Sequence, residues 1–114
     1  MEPIKVATAQ FENKSNDKAY NLGVIRELSA RAAAEGAQAV AFHECSVTGY
    51  TFARNLSREK MMELAELIPG GPSIRALQAI AAENNIAVLA GLFEKDGDNN
   101  LFKAYVCVDK NGVV

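Results

Sequence analysis

Three consecutive residues, His43, Glu44 and Cys45, put an imidazole, a carboxylate and a thiol between an apolar run and a glycine turn, in the stretch AQAVAFHECSVTGY from Ala37 to Tyr50. These groups transfer protons or attack electrophilic carbon when a fold aims them at a substrate. Glu44 is the strongest candidate. Val40, Ala41 and Phe42 read as a short strand covered on both faces, so Glu44 stands at its carboxyl end, where α/β folds gather ligand and catalytic groups. A carboxylate buried there without a partner costs several kcal/mol, so it needs a cation, a proton or a ligand. The bland alternative is a loop staple that accepts backbone N–H groups from the turn around Thr48 and Gly49. Cys45 is a poor nucleophile candidate because adjacent strand residues point to opposite faces. Cys107 lies inside the apolar run Tyr105 to Val108, and buried thiols are usually inert. His43, on the face opposite Glu44, reads as a hydrogen-bonded structural residue.

The elements that must position Glu44 follow from periodicity. Ile4 to Phe11 alternates as a first strand. After a polar turn, Asp17 caps a helix to Glu35 with Leu22, Ile25, Leu28 and Ala32 inward and Gly36 as its stop. The strand Ala39 to Phe42 completes a βαβ unit with a parallel pair. Ser57 caps a second helix, Arg58 to Leu67, and Pro69-Gly70-Gly71-Pro72-Ser73 initiates a third, Ile74 to Asn85. Its glycines do not have the spacing of a phosphate-binding loop. Ile86 to Glu94 is a third strand ending in a carboxylate, which places Glu94 as Glu44 is placed. Leu101 to Asp109 is a fourth, and Lys110-Asn111-Gly112 signals a type I′ hairpin. Only Val113 and Val114 follow, so the returning strand is expected to be absent and the chain to be a piece of something longer.

Composition narrows the classes. The 114 residues suffice for one domain at most, with 49% hydrophobic and 23% charged residues, as in soluble globular domains. Twelve basic against fourteen acidic residues leave a net charge of −2 without a Lys/Arg block, which argues against nucleic acid as a partner. No apolar stretch approaches a membrane span. MEPIKVATAQF shows no secretory leader, so a cytoplasmic location is expected. The two cysteines form no metal-ligating or redox pattern, and no cofactor or metal is expected.

The strand ATAQF, the helix carrying Asn21-Leu22, the run AVAFHE, the loop TGY, the segment PGGPS, and GLFEKDG followed by VDKNG together resemble the amino-terminal part of a nitrilase-superfamily carbon–nitrogen hydrolase. The resemblance covers nearly all of residues 1–114 and implies an α/β fold, the four-layer αββα sandwich of the nitrilase type, present here as an incomplete amino-terminal part of one domain. It implies hydrolysis of a small-molecule nitrile or amide by a Cys, Glu and Lys triad, usually in a homo-oligomer with sheets paired across a dimer. Glu44 matches the triad glutamate, the general base for the thiol, and an apolar, partly desolvated setting would suit that task. The triad lysine and cysteine belong beyond the hairpin, so the carry-over stops at Glu44 and the isolated chain is expected to be inactive. His43 stands where many relatives carry proline, and Lys103 where they often carry asparagine. Tyr50 is a candidate for the substrate pocket, with Phe52 beyond it.

Two other classes compete. A Mg²⁺-dependent endonuclease or phosphatase also places a glutamate after an apolar strand, but it needs further oxygen ligands that do not follow here. A non-catalytic interaction or oligomerisation module would use the exposed sheet edge and half-covered sheet.

Overall fold

Alternating small and branched residues at the start of the chain form β1, Val6–Ala9, whose Ala7 and Ala9 turn inward while Val6 faces solvent. A computed structural model describes residues 2–114. Helix α1, Lys18–Ala34, starts as its sequence predicts, with Asp17 Oδ1 accepting the Tyr20 N–H at 3.0 Å. Its buried stripe is Asn21, Ile25, Ser29 and Ala32, so the face is shifted from the expected Leu22 and Leu28, which pack only at the flank. Asn21 tolerates burial because main-chain partners take up its amide. Strand β2, Ala39–Phe42, then pairs parallel with β1, closing the βαβ unit.

Helix α2, Arg58–Leu64, is capped by Ser57 and stops three residues before the expected Leu67. Tertiary pairing ends it: the Glu66 N–H donates to the Phe93 carbonyl at 3.0 Å, and the Lys95 N–H to the Glu66 carbonyl at 2.9 Å. Helix α3, Pro72–Asn84, begins with Gly71 as its cap and Pro72 in its first turn, so PGGPS is the helix-initiating turn that was expected. Strand β3, Ala87–Lys95, lies parallel to β2 and antiparallel to β4, Leu101–Asp109. Glu94 does not repeat the position of Glu44. Strand β3 continues past it, and Glu94 sits within the ladder opposite Phe102 and bridged to Glu66.

The returning strand is present as β5, Gly112–Val113, which pairs with β4. Asn111 does not share the left-handed geometry of Gly112, φ +115°, so the connection is not the expected type I′ turn. The sheet order is β1-β2-β3-β4-β5.

One face of this sheet carries the core. Val40, Phe42, Val88, Ala90, Leu92, Val106 and Val108 meet Ile25 of α1 and Ile74, Leu77 and Ile80 of α3. That is one helical layer on one sheet, half of the four-layer αββα arrangement. Among the described residues, the other face is covered only near the end of β3, where Cys45, Leu64, Ala65 and Phe93 form a second cluster with Phe52 and Met61. Elsewhere it is open, with Val6 and Tyr105 about half exposed. No helix among the described residues is long and apolar enough to cross a membrane.

Candidate functional site around Glu44

Strand β2 ends at Phe42, and the chain then turns across the open face of β3. Gly91 makes this crossing possible: a Cβ there would lie 2.3 Å from the Cys45 nitrogen and 3.1 Å from its Cα. Main-chain bonds fasten the loop at this point, with Val47 N–H donating to Gly91 O at 3.0 Å and Gly91 N–H to Ser46 Oγ at 3.2 Å. Cys45 takes the left-handed φ of +53°, a conformation a non-glycine residue holds only when its surroundings impose it. The Cys45 carbonyl accepts the N–H groups of Thr48 and Gly49 and the side-chain amide of Asn13. Asn21 ties the same loop to α1, donating to Val47 O at 2.9 Å while exchanging two 2.8 Å hydrogen bonds with the Lys14 main chain.

This scaffold delivers Glu44 to the neighbourhood of β4. Its Oε1 lies 2.6 Å from Lys103 Nζ, and the Lys103 ammonium stands 4.9 Å from the centre of the Tyr50 ring. The hydrogen bond to Glu44 holds the Lys103 ammonium above its ordinary range. Two residues further along β4, the Tyr105 phenol donates to Phe42 O at 2.6 Å, and burial pushes its own ionisation up. A hollow of about 340 Å³ opens beside the pair, lined by Phe42, Glu44, Lys103, Ala104 and Tyr105. A second, about 430 Å³ and mainly apolar, is lined by Tyr50, Arg54, Met61 and Phe93.

The expected desolvated setting of Glu44 is not what the structure holds. The side chain is 61% exposed, and its partner is a cation rather than the main chain of the Thr48–Gly49 turn. The backbone swing over Gly91 lifts the carboxylate off the apolar strand end, and Lys103 meets it there. Tyr50 stands beside this pair, 55% exposed and against Lys103. Cys45 is fully buried under the loop, and burial, with the nearby Glu44 charge, pushes its thiol up, away from the nucleophilic thiolate. Cys107 lies four residues along β4 from Lys103, about 13 Å at strand rise. His43 Nε2 is 3.3 Å from Asn13 Nδ2 and its ring meets Phe11 edge-on, while burial keeps its basicity down.

Sequence reasoning missed Lys103 as the partner of Glu44, and Tyr105 as the clamp on β2. Both face the same side of β4, two residues apart, a period-2 signal visible in LFKAYVCVD. Gly91 inside an apolar strand was a legible mark of close backbone approach. Glu66 was missed as well: it is 5% exposed and accepts Lys18 Nζ at 2.7 Å, Ser73 N at 2.7 Å and Ser73 Oγ at 2.5 Å. Burial alone would raise this carboxyl, but the hydrogen bonds from Lys18 and Ser73 together hold it below its usual range. It fastens the start of α3 to α1.

Comparison with known proteins gives this arrangement a context. A nitrilase of Pyrococcus abyssi (strain GE5 / Orsay) is 32% identical over 111 residues, covering 97% of this chain and 41% of the relative. An aliphatic nitrilase of Rhodococcus rhodochrous is 34% identical over 124 residues, covering 96% of this chain and 30% of its own length. The chain thus spans well under half the length of these relatives. Among solved structures, an amidase from Nesterenkonia sp. superposes with a TM-score of 0.74 at 23% identity, over 97% of this chain and 40% of the amidase. An N-terminal amidase superposes with a TM-score of 0.77 at 19% identity, over 97% of this chain and 26% of its own. These two show the fold, the nitrilase-type α/β sandwich of which the sheet and helices here form a part. The sequence profile of the carbon–nitrogen hydrolases matches residues 5–114, which spans the Glu44 loop and all five strands, and the chain belongs to the Carbon-nitrogen hydrolase family.

Proposed function

We propose that residues 1–114 form the amino-terminal part of a single carbon–nitrogen hydrolase domain and that Glu44 is its general base. The substrate class is a small-molecule nitrile or amide, in keeping with the nitrilase relatives. In this mechanism the Glu44 carboxylate takes the S–H proton of a cysteine, and the resulting thiolate attacks the nitrile or carbonyl carbon. The observation that carries the reading is the placement of Glu44: it leaves the carboxyl end of β2 and stands at a hollow of about 340 Å³, fixed by Lys103. Tyr50, between the two hollows, would contribute to the substrate pocket.

The thiol in this scheme comes from outside residues 1–114. Cys45 is sealed under the loop, and Cys107 is too far along β4. The isolated chain is therefore expected to be inactive. An assay of the purified chain against aliphatic and aromatic nitriles and primary amides tests this directly. Robust turnover would refute the external thiol, and turnover surviving Glu44→Gln would remove Glu44 from the mechanism.

The half-exposed Val6 and Tyr105 on the open sheet face favour association, and a cytoplasmic homo-oligomer completes the reading. The two free thiols suit a reducing compartment. Light scattering showing a stable monomer at high concentration would count against the oligomer and against an interaction module alike. The Mg²⁺-dependent alternative fares worse, because an ammonium at 2.6 Å takes the place at Glu44 that a divalent cation would need.

A further inference from the structure

Two contacts span β3 side by side. Tyr105 and Lys103 stand on one face of β4, opposite Gly91 and Phe93 of β3 in the antiparallel register. On the far side of β3, Phe42 and Glu44 are likewise two residues apart. The Tyr105 phenol binds Phe42 O at 2.6 Å, and the Lys103 ammonium binds Glu44 Oε1 at 2.6 Å. The strands β2 and β4 are not neighbours, and two strand spacings separate them by roughly 10 Å. Only long side chains can join them: Tyr105 crosses opposite Gly91 and Lys103 opposite Phe93, while Gly91, lacking a Cβ, lets the Glu44–Cys45 backbone lie close over β3 to meet them.

Lys103 does not reach Glu44 as a free surface charge. Its ammonium also overlies the Tyr50 ring at 4.9 Å, so ring and carboxylate together define where it stands. Glu44 is 61% exposed and has several rotatable bonds; a group so open to water samples several rotamers unless something holds it. A carboxylate that must accept a proton from a thiol at hydrogen-bond distance needs one geometry.

We propose that Lys103 is a positioning residue for Glu44, a cation seated on Tyr50 that selects one rotamer of the carboxylate and turns it over Gly91 toward the hollow between β2 and β4. This deepens the assignment of Glu44 as general base and rests on it for its purpose, though not for its geometry. Lys103 itself transfers no proton. It leaves Glu44 Oε1 in a charge-assisted hydrogen bond and the second carboxylate oxygen available to a thiol.

Nuclear magnetic resonance on the isolated chain tests the proposal without reading turnover. Side-chain couplings of Glu44 are expected to report one dominant staggered rotamer in the wild type. Averaged couplings are expected in Lys103→Met, or in Lys103→Gln should the first variant unfold, and recovery of the single rotamer in Lys103→Arg. The Lys103 ammonium should titrate above an ordinary lysine in the wild type and return to the ordinary range in Glu44→Gln. Rotamer averaging in the wild type, or couplings unchanged by removal of the Lys103 charge, overturns the proposal. Failure of the base assignment has a different signature, turnover that survives Glu44→Gln when the thiol-bearing part of the domain is present, and leaves these couplings as they are.

Discussion

The phenol of Tyr105 reaches over an intervening strand to the main-chain carbonyl of Phe42, a 2.6 Å hydrogen bond between residues 63 apart in the sequence. It fixes the end of β2, and hence the origin of the Glu44 loop, against β4. Tyr105→Phe keeps the ring and removes the donor. It is expected to cost about 1 kcal/mol in urea unfolding and to broaden the amide resonances of His43 and Glu44. Unchanged amide spectra at those residues would show that the clamp is not what holds the loop.

Gly91→Ala tests the crossing itself. The added methyl carbon would stand 2.3 Å from the Cys45 nitrogen, in a loop whose Cys45 carbonyl and Val47 N–H are both held by hydrogen bonds. Either the loop lifts or β3 distorts, and the expected loss is about 3 kcal/mol. A variant as stable as the wild type would mean that the loop moves freely, contrary to its dense hydrogen bonding.

Asn21→Ala removes three hydrogen bonds at a fully buried position and strands the Lys14 and Val47 main-chain groups. A loss of roughly 3 kcal/mol is expected in the urea midpoint, with the slope of the transition unchanged. Asn21→Asp should be nearly as harmful, because a carboxylate cannot donate to the Lys14 and Val47 carbonyls.

Acid should weaken the fold in two separate windows. Burial lowers the pKa of His43, so the unfolded chain binds more protons than the native one and stability falls as pH drops below the ordinary histidine value. Glu66 also has a lowered pKa, so its contribution, present above the ordinary glutamate range, is lost as pH falls through the native value. Urea midpoints measured from pH 8 to 3 should show both limbs. His43→Gln should flatten the first and Glu66→Gln the second; a flat profile in the wild type would contradict both assignments.

Thiol labelling should separate the two cysteines. Cys45 is fully buried and Cys107 partly exposed on the open face. A maleimide reagent at pH 8 is expected to modify Cys107 first, and Cys45 only as the loop opens. Equal rates would place Cys45 at the surface.

Local rules made much of the framework legible. Asp17 and Ser57 cap helices because short oxygen-bearing side chains satisfy the first free N–H groups, and Gly71-Pro72 opens α3 for reasons contained in two residues. Glu44 stands just beyond β2, where its place after an apolar strand puts it. Its surroundings were not legible, because Lys103 comes from β4 and the register that aligns Lys103 with Phe93 is a tertiary fact. The same limit explains α2, which looks helical through Leu67 but is drawn into pairing with β3 from Glu66. On α1, hydrophobicity selected Leu22 and Leu28, whereas the core took Asn21 because its hydrogen bonds made a polar side chain the better fit.

The ladder between β3 and β4 is joined by the short turn from Asp96 to Asn100, tied by Asp96 accepting the N–H groups of Asp98 and Asn100. Closing so small a loop costs little chain entropy, whereas bringing Phe42 onto the same sheet requires a far longer excursion. The hairpin should thus assemble first and serve as the template on which the amino-terminal strands dock. Substitutions in the turn, such as Asp96→Ala, should then slow refolding, whereas Tyr105→Phe should mainly hasten unfolding.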